Sequence, residues 1–135
     1  MKNKLNEQHF EGSDFARLIS ILLHSRTQTH IFHWQTNSVG SNAEHAALKG
    51  YYDGIVDLTD KLVESYQGKY DIVSGYKSYE IVNRESVQSS IQFLNAVADK
   101  VNELRGGIEE SYIQNQIDTI QELLYSTLYK LRNLQ

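Results

Sequence analysis

The sequence predicts an all-α fold: a bundle of four helices in which one connection is much longer than the other two. Three observations point there. Apolar residues recur at steps of three and four through most of the chain, the spacing that lines one face of a helix. That periodicity lapses in three places, two brief and one long. No proline occurs anywhere, and proline is the residue that would break such runs.

The first helix is expected to begin at Ser13 or Asp14, either of which can cap the free amides of a first turn. Its apolar side runs through Phe15, Leu18, Ile19, Leu22 and Phe32, with polar Ser25 and Thr29 between, and the spacing continues to about Thr36. Residues 1–12 ahead of it read as a flexible tail. Helix two opens on Ser41-x-x-Glu44, the pattern of a capping box. Ala47, Tyr51, Gly54, Leu58, Leu62 and Tyr66 mark its inner stripe, and Gly68 is expected to end it as a left-handed cap. Gly50 and Gly54 each cost helix propensity by about 1 kcal/mol; either another helix approaches closely there or they are tolerated exceptions.

From Lys69 to about Arg84 the periodicity is lost, with a turn expected at Ser74 and Gly75 and with Tyr70, Tyr76 and Tyr79 as packing residues on a connecting arm. The third helix carries Val87, Ile91, Leu94, Val97 or Ala98, Val101 and Leu104, and Gly106 and Gly107 stop it. The fourth repeats the pattern in Ile113, Ile117, Ile120, Leu124, Leu128 and Leu131.

Connection lengths then choose the topology. The breaks after the first and third helices suit only antiparallel hairpins. The long connection can span ~50 Å when extended, whereas the second helix is about 40 Å long. It can therefore run back along the bundle and leave the second and third helices parallel. One long crossover connection of this kind defines the ferritin-like four-helix bundle.

Composition sets bounds on function. A chain of 135 residues suits a single domain, 1–135, with one core. A formal charge of −4 argues against DNA binding, which needs clustered lysine and arginine; Lys2 and Lys4 in the tail are offset by Glu7 and Glu11. The absence of cysteine rules out disulfides and thiolate ligands and fits a reducing compartment. With no long apolar run and no signal-like opening, the expectation is a soluble cytoplasmic protein with no membrane partner.

Chemistry concentrates between His30 and Glu64. His30 and His33 share a face near the end of the first helix, and His45 opens the second, which continues through Lys49, Asp53, Asp60 and Glu64 along one stripe. Such a stripe is either a solvated face or a metal site. His45 and Asp60 are about 22 Å apart along the axis, too far to share an ion within one chain. If two copies of this helix cross antiparallel about a two-fold axis near Asp53, the histidine end of each meets the carboxylate end of the other. Two equivalent sites per dimer follow, with nitrogen and oxygen ligands suited to iron, zinc or manganese.

These residues carry a resemblance. The run His30-x-x-His33-Trp34, then His45, Asp60 and Glu64 at these separations, closed by Gly68, resembles the Dps family, the DNA-protecting mini-ferritins of the ferritin-like superfamily. The resemblance implies an inter-subunit ferroxidase site. His33 and His45 come from one chain and Asp60 and Glu64 from its neighbour, in a homo-oligomer built on two-fold dimers and closed as a twelve-chain cage. His30 matches a histidine beside the ligands, and Trp34 is expected as a large core or interface anchor. Asp53 falls near the two-fold axis, where it can touch a metal or pair with Lys49 of the mate. Two departures stand out. Lys49 replaces an aspartate that helps hold the second iron, and the glycine and phenylalanine usual in the turn after the tryptophan are absent, with Gly40 and Ser41 nearby instead.

An ammonium in place of a carboxylate removes a ligand and repels cations. The expectation is therefore weak or mononuclear iron binding, zinc or manganese substituting, with a degenerate ferroxidase and iron-storage activity. The alternative is a metal-free structural or interaction protein that keeps the bundle as an oligomeric shell, Lys49 supplying by salt bridge the positive charge that a metal once supplied.

Overall fold

Four runs of helical periodicity become four helices in a computed structural model that describes residues 12–134. They are α1 (Gly12–Trp34), α2 (Ser41–Lys69), α3 (Val87–Leu104) and α4 (Ser111–Asn133). No strand occurs among the described residues. The expected tail over 1–12 lies, but for Gly12, outside them. Helix α1 starts ahead of the expected caps, and Asp14 instead approaches Arg17 one turn on, at 3.5 Å.

Side-chain contacts give the directions. Phe15 at the start of α1 stacks on Tyr66 near the end of α2, with ring centroids 3.7 Å apart. Gln116 at the start of α4 donates to Ser65 at the end of α2 (2.9 Å), and Arg132 near the end of α4 donates to Asn95 of α3 (2.9 Å). Each of these pairs is antiparallel. Glu44 and Ser90, both in first turns, are joined at 2.9 Å, so α2 and α3 run parallel across the bundle. The long connection, residues 70–86, makes this possible. It travels back along α1, donating from Lys77 N to Ser20 Oγ (2.8 Å), from Val82 N to Gln28 Oε1 (2.8 Å) and from Arg84 N to Gln35 Oε1 (2.7 Å).

The core is the apolar stripe of each helix turned inward. Ile91, Leu94, Val97, Ala98, Val101 and Leu104 of α3 are buried as the spacing requires, and so are Ile113, Ile117, Ile120, Leu124, Leu128 and Leu131 of α4. Each buried valine, leucine or isoleucine contributes on the order of 1.5–3 kcal/mol. In α1 the polar stretch between Leu22 and Phe32 also faces inward, with Ser25, Gln28 and Thr29 fully buried. Their groups are satisfied: Ser25 Oγ donates to Leu22 O (2.7 Å), Thr29 Oγ1 donates to Ser25 O (2.7 Å), Tyr51 Oη donates to Ser25 Oγ (2.7 Å), and Gln28 bonds Val82 of the long connection.

Helix α2 departs from the sequence expectation in three ways. Its centre-facing residues are Ala47, Leu48, Tyr51, Ile55, Thr59, Leu62 and Tyr66, so Ile55 and Thr59 take the places expected for Gly54 and Leu58. The Ser41–Glu44 capping box does not form. Gly40 is the N-cap, at φ 85°, without a side-chain cap, because Glu44 is committed elsewhere: it accepts from Arg84 Nε (2.9 Å), Arg84 Nη2 (2.6 Å) and Ser90 Oγ (2.9 Å). Nor is Gly68 a left-handed cap, since the helix continues to Lys69 and Tyr70 closes it by donating from its amide to Tyr66 O (2.8 Å). Tyr66 and Tyr70 pack ring on ring at 4.7 Å and Tyr70 Oη donates to Glu110, contacts that carry α2 past the glycine.

Candidate metal-binding site at the junction of α1 and α2

His33 stands in the last turn of α1 and His45 in the first turn of α2, and the hairpin brings them face to face. Their ring centroids are 3.5 Å apart and 23° from parallel. Each ring is held by the other residue's backbone: His33 Nδ1 lies 2.7 Å from His45 O, and His45 Nδ1 lies 3.1 Å from His33 O. A carbonyl can only accept, so each Nδ1 carries the hydrogen and each neutral ring keeps its lone pair on Nε2. Unprotonated Nε2 is the form in which imidazole binds a metal. Burial pushes the His33 imidazole below its ordinary value; the hydrogen bond to His45 O offsets part of this, and the charges of His45, His30 and Lys49 add to the lowering.

Stacking also limits what the pair can do. Rings lying nearly face to face direct their in-plane lone pairs along lines that do not meet at a common ion. One ion takes one of these imidazoles as they stand, not both.

The neighbours are aromatic. His30 lies between Trp34, with centroids 4.2 Å apart, and Tyr52, at 4.1 Å and 24° from parallel. Tyr52 also meets His33 edge to face at 5.3 Å. Trp34 does not enter the core, contrary to one of its expected roles; 68 % of its surface is exposed. His24, lower on α1, packs between Tyr79 of the long connection and Phe93 of α3.

The carboxylates are elsewhere. Asp60 and Glu64 are exposed on the outer face of α2 and form no ion pair or hydrogen bond among the described residues, about 22 Å and about 28 Å of helix beyond His45. Accordingly, no group of three or more histidine, aspartate and glutamate side chains able to hold a metal ion is present among the described residues of one chain. Between the two ends, Lys49 Nζ donates to Asp53 of its own chain at 2.6 Å and lies 5.9 Å from the Tyr52 ring. That bond, with the attraction of the Asp53 charge, raises the lysine's affinity for its proton.

Two groups here escaped sequence reasoning. Thr36 sits just beyond α1 and touches both histidines, donating from Oγ1 to His33 O (2.8 Å) and lying 2.9 Å from His45 Nδ1. Glu44 and Arg84 form an ion pair whose side chains are 0 % and 6 % exposed. Glu44 was detectable as a charged residue on the inward spacing of Ala47, Leu48 and Tyr51, but its partner forty positions away was not. The pair floors an open cleft of about 660 Å³ between the α1–α2 turn and the start of α3.

No helix among the described residues is long and apolar enough to cross a membrane. No curated protein matches the chain. A family model does match, over residues 33–131, from the first of the paired histidines to the last buried leucine of α4. The chain therefore belongs to DUF5856, a family of unknown function.

Proposed function

We propose that the chain is a Dps-like subunit of the ferritin-like class, and that it binds iron at sites shared between two copies. The observation that carries this reading is the His33–His45 pair, whose backbone-tied Nδ1 atoms leave Nε2 free to ligate. The long connection returning along α1 supports it, since a ferritin-like bundle needs one long crossover. Fe(II) is the substrate. His33 Nε2 of one copy and the Asp60 and Glu64 carboxylates of a second would hold it, in an antiparallel pairing of α2 about Asp53. Nitrogen and oxygen donors suit Fe(II), and zinc or manganese would substitute.

The placement of ligand types supports the pairing. His45 stands outward near one end of α2, and Asp60 and Glu64 towards the other, so an antiparallel copy sets nitrogen and oxygen donors together. The stacked rings and Lys49 both favour a single ion per site, with oxidation of bound Fe(II) by dioxygen or peroxide weak beside that of a two-iron site. Iron storage in a closed cytoplasmic shell of such dimers is the corresponding whole-assembly function.

Subunit mixing tests the shared site. His33→Asn and Asp60→Asn should each abolish Fe(II) binding in anaerobic calorimetry, with the native mass showing the dimer intact. A mixed dimer of the two variants contains one site with both groups unchanged and should recover binding there. If the mixture stays inactive while the wild type binds, the ligands do not come from different chains; if the wild type binds no metal, the iron reading fails.

The Lys49–Asp53 bond favours a second reading, a metal-free oligomer in which this ion pair neutralises Asp53 near the two-fold axis. Lys49→Asp separates the two. A gain of rapid Fe(II) oxidation supports a degenerate ferroxidase, and no change supports the structural role.

A further inference from the structure

Two buried donors line the cleft above the Glu44–Arg84 pair with nothing to donate to. Arg84 spends Nε and Nη2 on the Glu44 oxygens, at 2.9 and 2.6 Å, while Nη1 makes no hydrogen bond among the described residues although the side chain is only 6 % exposed. Ser41 is 9 % exposed, and its hydroxyl likewise has no partner among them. Both residues line the same open space of about 660 Å³, a volume within the range of small-molecule sites.

The backbone adds to these donors. Helices α2 and α3 both begin at the cleft. Helix α3 closes its own first turn, Ser86 Oγ accepting from Gln88 N at 3.1 Å. Helix α2 does not: its N-cap is Gly40, which has no side chain to offer, and the Ser41 amide turns to a loop carbonyl, Ser38 O at 3.0 Å. The amides that follow it point back towards the helix start and carry partial positive charge there. We propose that this cleft binds a small oxyanion of the phosphate class, with Arg84 Nη1 and Ser41 Oγ donating to its oxygens and the start of α2 facing its charge. Glu44 does not oppose this, because its carboxylate already accepts from Arg84 twice and from Ser90 once. Glu85, also on the lining, has no ion pair among the described residues; it is exposed, so water and salt screen its repulsion.

The anion site is independent of the metal reading, and the metal-free, full-length protein tests it. Inorganic phosphate, titrated in nitrogen–proton correlation spectra, should give saturable shifts at the backbone amides of the first turn of α2 and at the Arg84 side chain. Ser41→Ala removes a hydrogen bond to a charged group and should weaken the affinity by about tenfold. Arg84→Lys keeps a cation for Glu44 but has no second nitrogen for the cleft, and should weaken it at least as much. Glu85→Gln removes the exposed repulsion and should tighten binding by about threefold. Glycerol phosphate as a second probe reports what fills the rest of the cleft. Tighter binding than inorganic phosphate assigns the space beside Val39 and Val87 to an organic group, and binding no tighter assigns the site to the free anion.

Absence of a saturable shift at these residues with both probes overturns the proposal. So does an affinity that neither Ser41→Ala weakens nor Glu85→Gln tightens, whether or not the Arg84→Lys variant folds.

Discussion

Gln28 and Val82 pair as two residues of a sheet would: Gln28 Nε2 donates to Val82 O at 2.9 Å, and Val82 N donates to Gln28 Oε1 at 2.8 Å. A helix side chain thus stands in for a strand and holds the long connection against α1. The glutamine is fully buried, whereas Val82 is 48 % exposed.

Replacing Gln28 with leucine should therefore loosen the connection without unfolding the bundle. Leucine fills the buried volume, and the freed Val82 groups can turn to water, so the loss is confined to two hydrogen bonds of about 1 kcal/mol each. Hydrogen exchange at Val82 should quicken by roughly tenfold, with the amides of α4 unaffected. Unchanged exchange at Val82 would mean that other contacts hold the connection.

Glu44 presents the opposite case, a buried charge whose compensation comes from one partner, Arg84. Glu44→Leu leaves the Arg84 guanidinium uncompensated and should cost about 3–5 kcal/mol in chemical denaturation. Glu44→Leu combined with Arg84→Met removes both charges and should recover most of that loss. A double variant as unstable as the single one would show that the pair contributes through packing and not through charge.

These two sites mark what the sequence could reveal. Helix identity was legible wherever spacing repeated, as in Ile113 to Leu131, since burial on one face dictates that spacing. The aperiodic connection was legible as a connection, but its course was not: Gln28 and Gln35 carry no sign that they bond to backbone more than forty residues later. The capping box failed for the same reason, because local chemistry gave Glu44 to Ser41 while tertiary structure gave it to Arg84. At the candidate site, the meeting of His33 and His45 followed from a short hairpin between two helices. Thr36 did not, because a hydroxyl after a helix end has many equivalent uses and only the folded hairpin distinguishes them.

Stability should fall on mild acidification. Burial lowers the affinity of both His24 and His33 for a proton, from an ordinary value of 6.5. The unfolded chain thus takes up protons at a higher pH than the folded one. The stability these residues contribute is complete above 6.5 and is lost as pH falls from there through their folded-state values. Urea midpoints should drop between about pH 7.5 and about pH 5.5, and His24→Phe, placed between Tyr79 and Phe93, should flatten the decline. A wild-type midpoint constant across that interval would contradict the burial of these rings.

Gly50 offers a test of the α2 pairing that needs no metal. In a single chain a Cβ at this position meets nothing within 4 Å, whereas at Gly54 it would lie 3.3 Å from Leu123 of α4. Gly50→Ala should therefore stabilise the isolated chain by up to about 1 kcal/mol through helix propensity. In an antiparallel pair centred near Asp53, however, Gly50 falls opposite Val56 of the second copy, where an added methyl would hold the helices apart. The substitution should then raise the melting midpoint in dilute solution, where the chain is dissociated, while sedimentation records a weaker dimer. If alanine stabilises equally at every concentration and leaves association unchanged, copies of this chain do not meet through the outer face of α2.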